Sequence, residues 1–402
     1  MTIWGDRMGI RTFIRTFRRA GAALALAAAA CLATVGTVAP ATASPAAPGQ
    51  AATANYIVTL EPAVVPAADV AATAQDQTGR RPGRVYHSAL RGYTARMTDA
   101  QADELRDDPA VAAVERDSIV TIAATEPSAP WGLDRVDQRD LPLSTTYTYT
   151  ATGTGVTAYV IDTGIRLSHQ DFGGRAVSGF DAVDGGTADD CNGHGTHVSS
   201  TVGGSTYGVA KGVRLVAVRV LDCGGGGSLS GVIAGIDWAV ANHQPGQAAV
   251  ANMSFGGTTS TALDSAVTRL IEDGVTVVVA AGNSSADACS SSPARVPAAV
   301  TVAASSSTDA FASFSNWGSC VDVIAPGVSV TAAWRTSDTA TRTVSGTSMA
   351  SPHTAGAAAK ILQGSPGATP GTVASTIVSE ASVGKVTGVP TGTANRLLYT
   401  AR

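Results

Sequence analysis

From residue 124 onward the sequence predicts an α/β fold: a doubly wound, mainly parallel sheet with helices on both faces, preceded by a small α+β domain. Three observations carry this reading. Strand-like runs at 156–161, 214–220, 250–255 and 275–280 are almost wholly apolar, as strands buried on both faces are. Helical spacing at 232–240 and 263–271 alternates with them, the pattern of crossover units in a parallel sheet. The composition agrees: 402 residues, 44% apolar, 14% charged and a formal charge of −4 exclude a disordered chain and offer no basic surplus for a nucleic-acid partner. The 44 glycines follow no three-residue period, which excludes a collagen-like chain.

In chain order, Arg7, Arg11, Arg15, Arg18 and Arg19 precede an apolar run from Ala22 to Val38 that ends at Ala41-Thr42-Ala43. That is a basic start, a short apolar centre and a small-x-small cleavage site, so residues 1–43 read as a secretory signal peptide. A retained membrane anchor is the other reading, but the run is short and alanine-rich for a span. Arg18-Arg19 leaves the general and twin-arginine routes both open. The expected location is extracellular, with no membrane contact after processing. Removing Cys31 with the signal leaves Cys191, Cys223, Cys289 and Cys320 in an oxidising compartment. Four cysteines allow three pairings; the near-equal intervals 191–223 and 289–320 make two local loops attractive without deciding the matter.

Residues 44–123 form the α+β domain. Asn55–Leu60 alternates like a strand, Met97–Leu105 reads as a capped helix, and 111–115 and 118–122 read as closing strands. A unit of this size is only marginally stable alone. The Pro/Ala/Ser stretch 123–130 is a linker into the large domain, 124–402.

Three motifs carry the chemistry. Asp162-Thr163-Gly164 follows the first strand of the large domain, Asn192-Gly193-His194-Gly195-Thr196-His197-Val198 precedes a short helical run, and Gly346-Thr347-Ser348-Met349-Ala350-Ser351-Pro352-His353 opens an alanine-rich helix. A carboxylate, an imidazole and a hydroxyl thus stand at the strand ends and helix starts where such sheets hold ligands. In a nucleophilic triad the imidazole takes the hydroxyl proton while the carboxylate fixes its tautomer. Ser348 at a helix start also has backbone N–H groups beside any developing oxyanion. Asn283, after the strand 279–281, offers a further donor. Each element has a plainer reading. Asp-Thr-Gly and Gly-Asn are common turns, and the aspartic-protease dyad needs a second Asp-Thr-Gly that is absent. Cys191, His194 and His197 have zinc-ligand spacing, but a disulfide would consume the thiolate and no fourth ligand lies near.

The order Asp162, His194, Ser348, with these flanks, resembles the subtilisin-like serine proteases, in the branch of proteinase K and aqualysin. Ala129-Pro130-Trp131-Gly132-Leu133-Asp134-Arg135 and Asp190-Cys191-Asn192-Gly193-His194-Gly195-Thr196-His197 carry the same resemblance, which covers essentially 124–402. It implies a secreted serine endopeptidase with Asp162 orienting, His194 as general base and then acid, Ser348 as nucleophile and Asn283 lining the oxyanion hole. Ser254, Phe255, Gly256 and Gly257 would border the first specificity pocket. Gly225, Gly226, Gly227 and Leu229 would form the other edge, pairing with extended substrate. Neither segment holds an acidic residue, which fits broad specificity with apolar or aromatic preference before the cut.

The resemblance also implies the pairing Cys191–Cys223 and Cys289–Cys320 and reads 44–123 as an inhibitor and chaperone propeptide, removed by self-cleavage between Ala123 and Ala124. Structural calcium is implied at Pro297, Ala299 and Asp322, with a second set at Asp134, Asp137 and Gln138, where Ser144 and Thr146 replace better ligands. No catalytic cofactor is expected. The partners are protein or peptide substrates and the chain's own propeptide, with the enzyme a monomer. The competing readings are a zinc hydrolase built on His194 and His197, and a non-catalytic binding protein on the same scaffold.

Overall fold

The computed structural model describes residues 53–117, 119–121 and 130–400. The signal-peptide reading, the cleavage point at Ala123 and nearly all of the linker lie outside the described residues. The amino-terminal region comprises β1 (Ala54–Leu60), α1 (Val70–Thr78), β2 (Val85–Tyr86), β3 (Gly92–Met97), α2 (Asp99–Arg106), β4 (Val111–Arg116) and β5 (Ile119–Thr121). Its antiparallel sheet has the order β2-β3-β1-β4. Helix α2 starts where its sequence says, because Thr98 and Gln101 exchange a capping box. Helix α1 went unpredicted: only Val70 and Ala74 are buried along it, too thin a stripe to read as amphipathic.

The main region continues with α3 (Trp131–Val136), β6 (Thr157–Asp162), β7 (Ala176–Asp181), α4 (His194–Gly203), β8 (Arg214–Arg219), β9 (Gly226–Ser228) and α5 (Leu229–Asn242). Then follow β10 (Ala249–Met253), α6 (Thr261–Glu272), β11 (Thr276–Ala280), β12 (Val300–Ser305), β13 (Val323–Pro326), β14 (Val330–Ala333) and β15 (Thr341–Val344). The chain closes with α7 (Thr347–Gly364), α8 (Pro370–Glu380), β16 (Ser382–Val383) and β17 (Arg396–Leu397). The large sheet runs β16-β17-β13-β12-β11-β10-β6-β8-β7, parallel throughout except for β16 against β17. Along β6, Val160 joins the core under α4 and α7, while Tyr159 and Ile161 join the core under α5 and α6. That two-sided burial is why the strands read as unbroken apolar runs. From β6 the sheet grows to both sides, through β8 and through β10, so the switch point lies where Asp162 and Met253 end neighbouring strands.

The two regions meet along a seam rich in polar contacts. Strand β5 pairs antiparallel with β9, Val120 opposite Gly227. Asp117 accepts the Ser230 N–H (2.7 Å) at the start of α5, and Glu115 accepts the Ala262 N–H at the start of α6. Those helices also have their own caps, Ser228 taking the Gly231 N–H and Ser260 the Leu263 N–H. Asp237 accepts the N–H groups of Ser88 (2.6 Å) and Ala89 (2.7 Å). Ile57, Tyr86, Ala89 and Leu90 add the apolar share, packing into the α5–α6 core.

Two expectations change. Leu229 is the first residue of α5 and 1% exposed; it fills the core, because the extended edge ends at Ser228. The predicted strand 250–255 stops at Met253; Ser254 and Phe255 continue as loop, and Gly257 bridges to Ser292.

Candidate active site

Strand β6 delivers Asp162 fully buried, and α4 begins at His194 with Nδ1 2.7 Å from Asp162 Oδ1. The same oxygen accepts the Thr163 N–H at 2.7 Å. Helix and strand come this close because Gly195 has no side chain: a Cβ there would lie 2.2 Å from the Gly164 carbonyl oxygen. Gly193, at φ +115°, turns the chain into α4 with its α-carbon against the Trp334 indole. Among the described residues, His194 Nε2 is buried without a hydrogen-bond partner, an arrangement that demands an explanation in a folded protein.

Asp190, part of the quoted motif but given no role from sequence, organises this loop. Its carboxylate accepts from Thr163 Oγ1 (2.9 Å), Asn192 N (2.9 Å), Gly193 N (2.8 Å) and Thr196 N (2.9 Å). Burial pushes its carboxyl pKa up, and those hydrogen bonds pull the other way. An acid before Cys191-Asn192-Gly193 has no spacing that separates it from a turn residue. The Cys191–Cys223 disulfide ties the same loop to the approach of β9, and Cys289–Cys320 closes the second local loop. The disulfide consumes the Cys191 thiolate that the competing zinc reading needs, and among the described residues no cluster of three His, Cys, Asp or Glu groups could hold a metal ion. His197 lies inside α4, its Nε2 3.0 Å from the Val330 carbonyl oxygen, and burial pushes its pKa down to about 3.

Ser348 is the second residue of α7, which packs against α4. Its Oγ donates to the Ser254 carbonyl at 2.9 Å. Asn283 follows Gly282, whose φ of +106° bends the chain out of β11. The Asn283 Oδ1 accepts the Thr347 N–H (2.7 Å) and hydroxyl (3.0 Å), which leaves its Nδ2 as the donor on the other side of the amide. A cleft of about 270 Å³ opens here, lined by Phe255, Gly256, Gly257, Asn283, Ser291 and Ser348. Ser254 does not line it: its side chain is buried and donates to the Ser348 carbonyl. Gly226 and Gly227 lie in β9, and Gly225 turns into it at φ +83°. A larger cleft, about 860 Å³, lies at the seam between Leu60, Arg91 and α6; none of Asp162, His194, Asn283 and Ser348 lines it.

The calcium sets divide. Asp322 is half-buried, accepts one backbone hydrogen bond from Thr301 (2.8 Å), and burial raises its carboxyl pKa; a buried carboxylate with one hydrogen bond suits an oxygen-ligated cation. The second set does not fit. Asp134 is already occupied by Ser144 N–H (3.0 Å) and hydroxyl (2.9 Å) and by Thr145 N–H (2.6 Å). Gln138 Oε1 accepts from Ser144 N (3.1 Å), and Asp137 accepts from Thr148 N. These groups staple the loop 144–148 by hydrogen bonds, so the expectation of a cation there is dropped.

A parallel sheet with this switch point, a buried Asp–His pair and a serine at a helix start define a hydrolase of the serine-protease class. The sequence matches the subtilase family over residues 153–397 and peptidase inhibitor I9 over residues 55–123. It is 58% identical over 323 residues to an extracellular serine proteinase of Thermus sp. (strain Rt41A), covering 80% of this chain and 78% of that one. It is 46% identical over 340 residues to a cuticle-degrading serine protease of Arthrobotrys oligospora, 81% and 83% of the two chains. The crystal structure of a cold adapted subtilisin-like serine proteinase matches at 55% identity and a TM-score of 0.65, over 68% of this chain and 99% of that one. The chain belongs to the subtilase family of serine proteases and carries an I9 inhibitor region ahead of its catalytic region.

Proposed function

We propose that the protein is an extracellular serine endopeptidase of broad specificity, with apolar or aromatic preference before the cut, acting through Asp162, His194 and Ser348. The observation that carries this is the buried Asp162–His194 pair, whose outer nitrogen Nε2 has no hydrogen-bond partner among the described residues while α4 packs on the helix bearing Ser348. Extended substrate adds to β9 as β5 does, and the glycines 256 and 257 leave room for a large side chain. Rotation of the Ser348 hydroxyl from the Ser254 carbonyl to Nε2 hands its proton to His194 as Oγ attacks the scissile carbonyl. Asp162 holds the Nδ1–H tautomer and stabilises the imidazolium. The oxyanion meets Asn283 Nδ2–H and the Ser348 N–H. His194 then protonates the leaving amine, and water reverses the steps on the acyl-enzyme.

The chain matures by cutting itself between Ala123 and Ala124, its β5 segment lying in the cleft as product. The products are a free propeptide and a monomeric catalytic domain. Structural calcium at Asp322, Pro297 and Ala299 stabilises the fold and takes no part in the chemistry.

The test is a Ser348→Ala precursor, which stays uncut and leaves casein intact, while the secreted wild type begins at Ala124 on N-terminal sequencing. A Ser348→Ala protein that still processes itself sinks the assignment.

A further inference from the structure

Four residues after Ser348, within the same helix, stands Pro352. In an α-helix the carbonyl of residue 348 accepts the N–H of residue 352. Proline has no N–H, and its ring crowds that very carbonyl. The peptide that carries the nucleophile is therefore deprived of its helical hydrogen bond while almost wholly buried. A buried carbonyl left in that state is costly.

Its donor comes from outside the helix. Ser254 Oγ–H bonds the Ser348 carbonyl at 2.8 Å. The direction of that hydroxyl is itself set, because Ser254 Oγ accepts Asn252 Nδ2–H at 2.9 Å, and its single proton is left for the carbonyl. Asn252 is held in turn: its Oδ1 accepts Ser351 Oγ–H at 2.7 Å. Asn252, Ser254 and Ser351 are each at most 1% exposed, so water offers no substitute. Asn252 lies on β10, and Ser351 is the residue before Pro352 on α7. The chain of hydrogen bonds thus leaves the helix at Ser351 and returns to it at Ser348.

We propose that Asn252, acting through Ser254 and held by Ser351, is a positioning residue that replaces the hydrogen bond deleted by Pro352 and so fixes the peptide of the nucleophile. This rests on the reading of Ser348 as nucleophile. The consequence is a shared reference frame. Strand β10 pairs with β6, Met253 opposite Ile161, so the nucleophile and the orienting Asp162 are registered to two adjacent strands. With the helical bond intact, Ser348 would instead follow the helix. A displacement of one ångström at a reacting group costs up to about 100-fold in rate, which gives such a clamp a kinetic role.

The test is a double-mutant cycle on the full-length precursor and its processed form, with Asn252→Ala, Ser254→Ala, Pro352→Ala and their pairs. Pro352→Ala returns an N–H at position 352, so the relay becomes redundant there. Asn252→Ala is expected to lower kcat, and the inactivation rate by phenylmethanesulfonyl fluoride, about tenfold, with KM within about twofold. In the Pro352→Ala background the same change is expected to cost about twofold or less. Equal losses in both backgrounds, or a change confined to KM, overturn the proposal. Thermal unfolding checks that each variant folds, and Ser351→Ala, which frees the amide without emptying its space, takes the place of Asn252→Ala if that variant does not. Mass spectrometry of the sulfonylated protein separates the two readings. A label away from Ser348 refutes the nucleophile, whereas a label on Ser348 with equal losses refutes only the positioning role.

Discussion

The inhibitor region and the catalytic region use the same ingredients to opposite ends. The first has one sheet backed by two helices, with a small core around Tyr56, Val58, Leu60 and Tyr93. The second buries both faces of a nine-stranded sheet and closes two loops with disulfides. Their charges differ accordingly. Arg135 of α3 is fully buried against Asp309, with Nε and an outer nitrogen at 2.7 and 2.9 Å. The inhibitor region's Arg106–Asp103 pair lies at the surface. The seam relies on Glu115, Asp117 and Asp237, carboxylates that receive backbone N–H groups. The two regions thus differ in where their polar groups are buried.

The largest expected effect confines damage to chemistry. Asp162→Asn is predicted to lower kcat about 10⁴-fold, and the uncut precursor should accumulate with its seam intact, as measured by peptide hydrolysis and gel mobility. Next comes the buried pair. Arg135→Met leaves Asp309 buried and unpaired, a loss of about 3–5 kcal/mol, read by denaturant unfolding of the catalytic region. Asp103→Asn, which breaks the exposed pair and leaves Arg106 on the Val114 carbonyl, is predicted to leave the unfolding midpoint of the Ser348→Ala precursor unchanged; an effect equal to that of Arg135→Met would erase the contrast between the regions.

The third prediction concerns acid. Burial pushes the His353 pKa from the ordinary 6.5 down to about 4, and His197 further. The unfolded chain therefore takes up these protons first as pH falls. Stability is intact above about pH 6.5 and declines toward pH 4, by roughly 3 kcal/mol for His353 alone. Both histidines lie in the catalytic region; melting curves of the processed enzyme from pH 8 to 4 check this. The smallest effect is at the seam. Glu115→Ala removes one helix cap, about 1 kcal/mol, and should shorten the latency of the precursor several-fold without moving the melting point of the processed enzyme.

Much of this was legible because it is written locally. The strands of the buried sheet announce themselves as apolar runs, and Asp162, His194 and Ser348 sit in flanks rich in glycine and small residues that the close approach of Gly193 and Gly195 requires. The rest depends on what folding brings together. Asn252 reads as a polar interruption in an apolar strand, and only the arrival of α7 shows its partner to be Ser351. Leu229 looked like part of an extended edge because nothing in a glycine-rich stretch says where a strand yields to a helix. Asp134, Asp137 and Gln138 have the oxygen chemistry of a cation site, but the loop 144–148 folds its own N–H groups onto them.

Helices α5 and α6 each carry two caps at the same end, one resident and one borrowed. Without the inhibitor region, the Ser230 and Ala262 N–H groups would each lose a carboxylate acceptor, while Ser228 and Ser260 would still cap the two helices. The borrowed caps matter most while the first turns are being nucleated, the costly step in making a helix, and least once the helices are packed. The inhibitor region thus lends one further acceptor to the first turn of each helix, in addition to the helix's own serine.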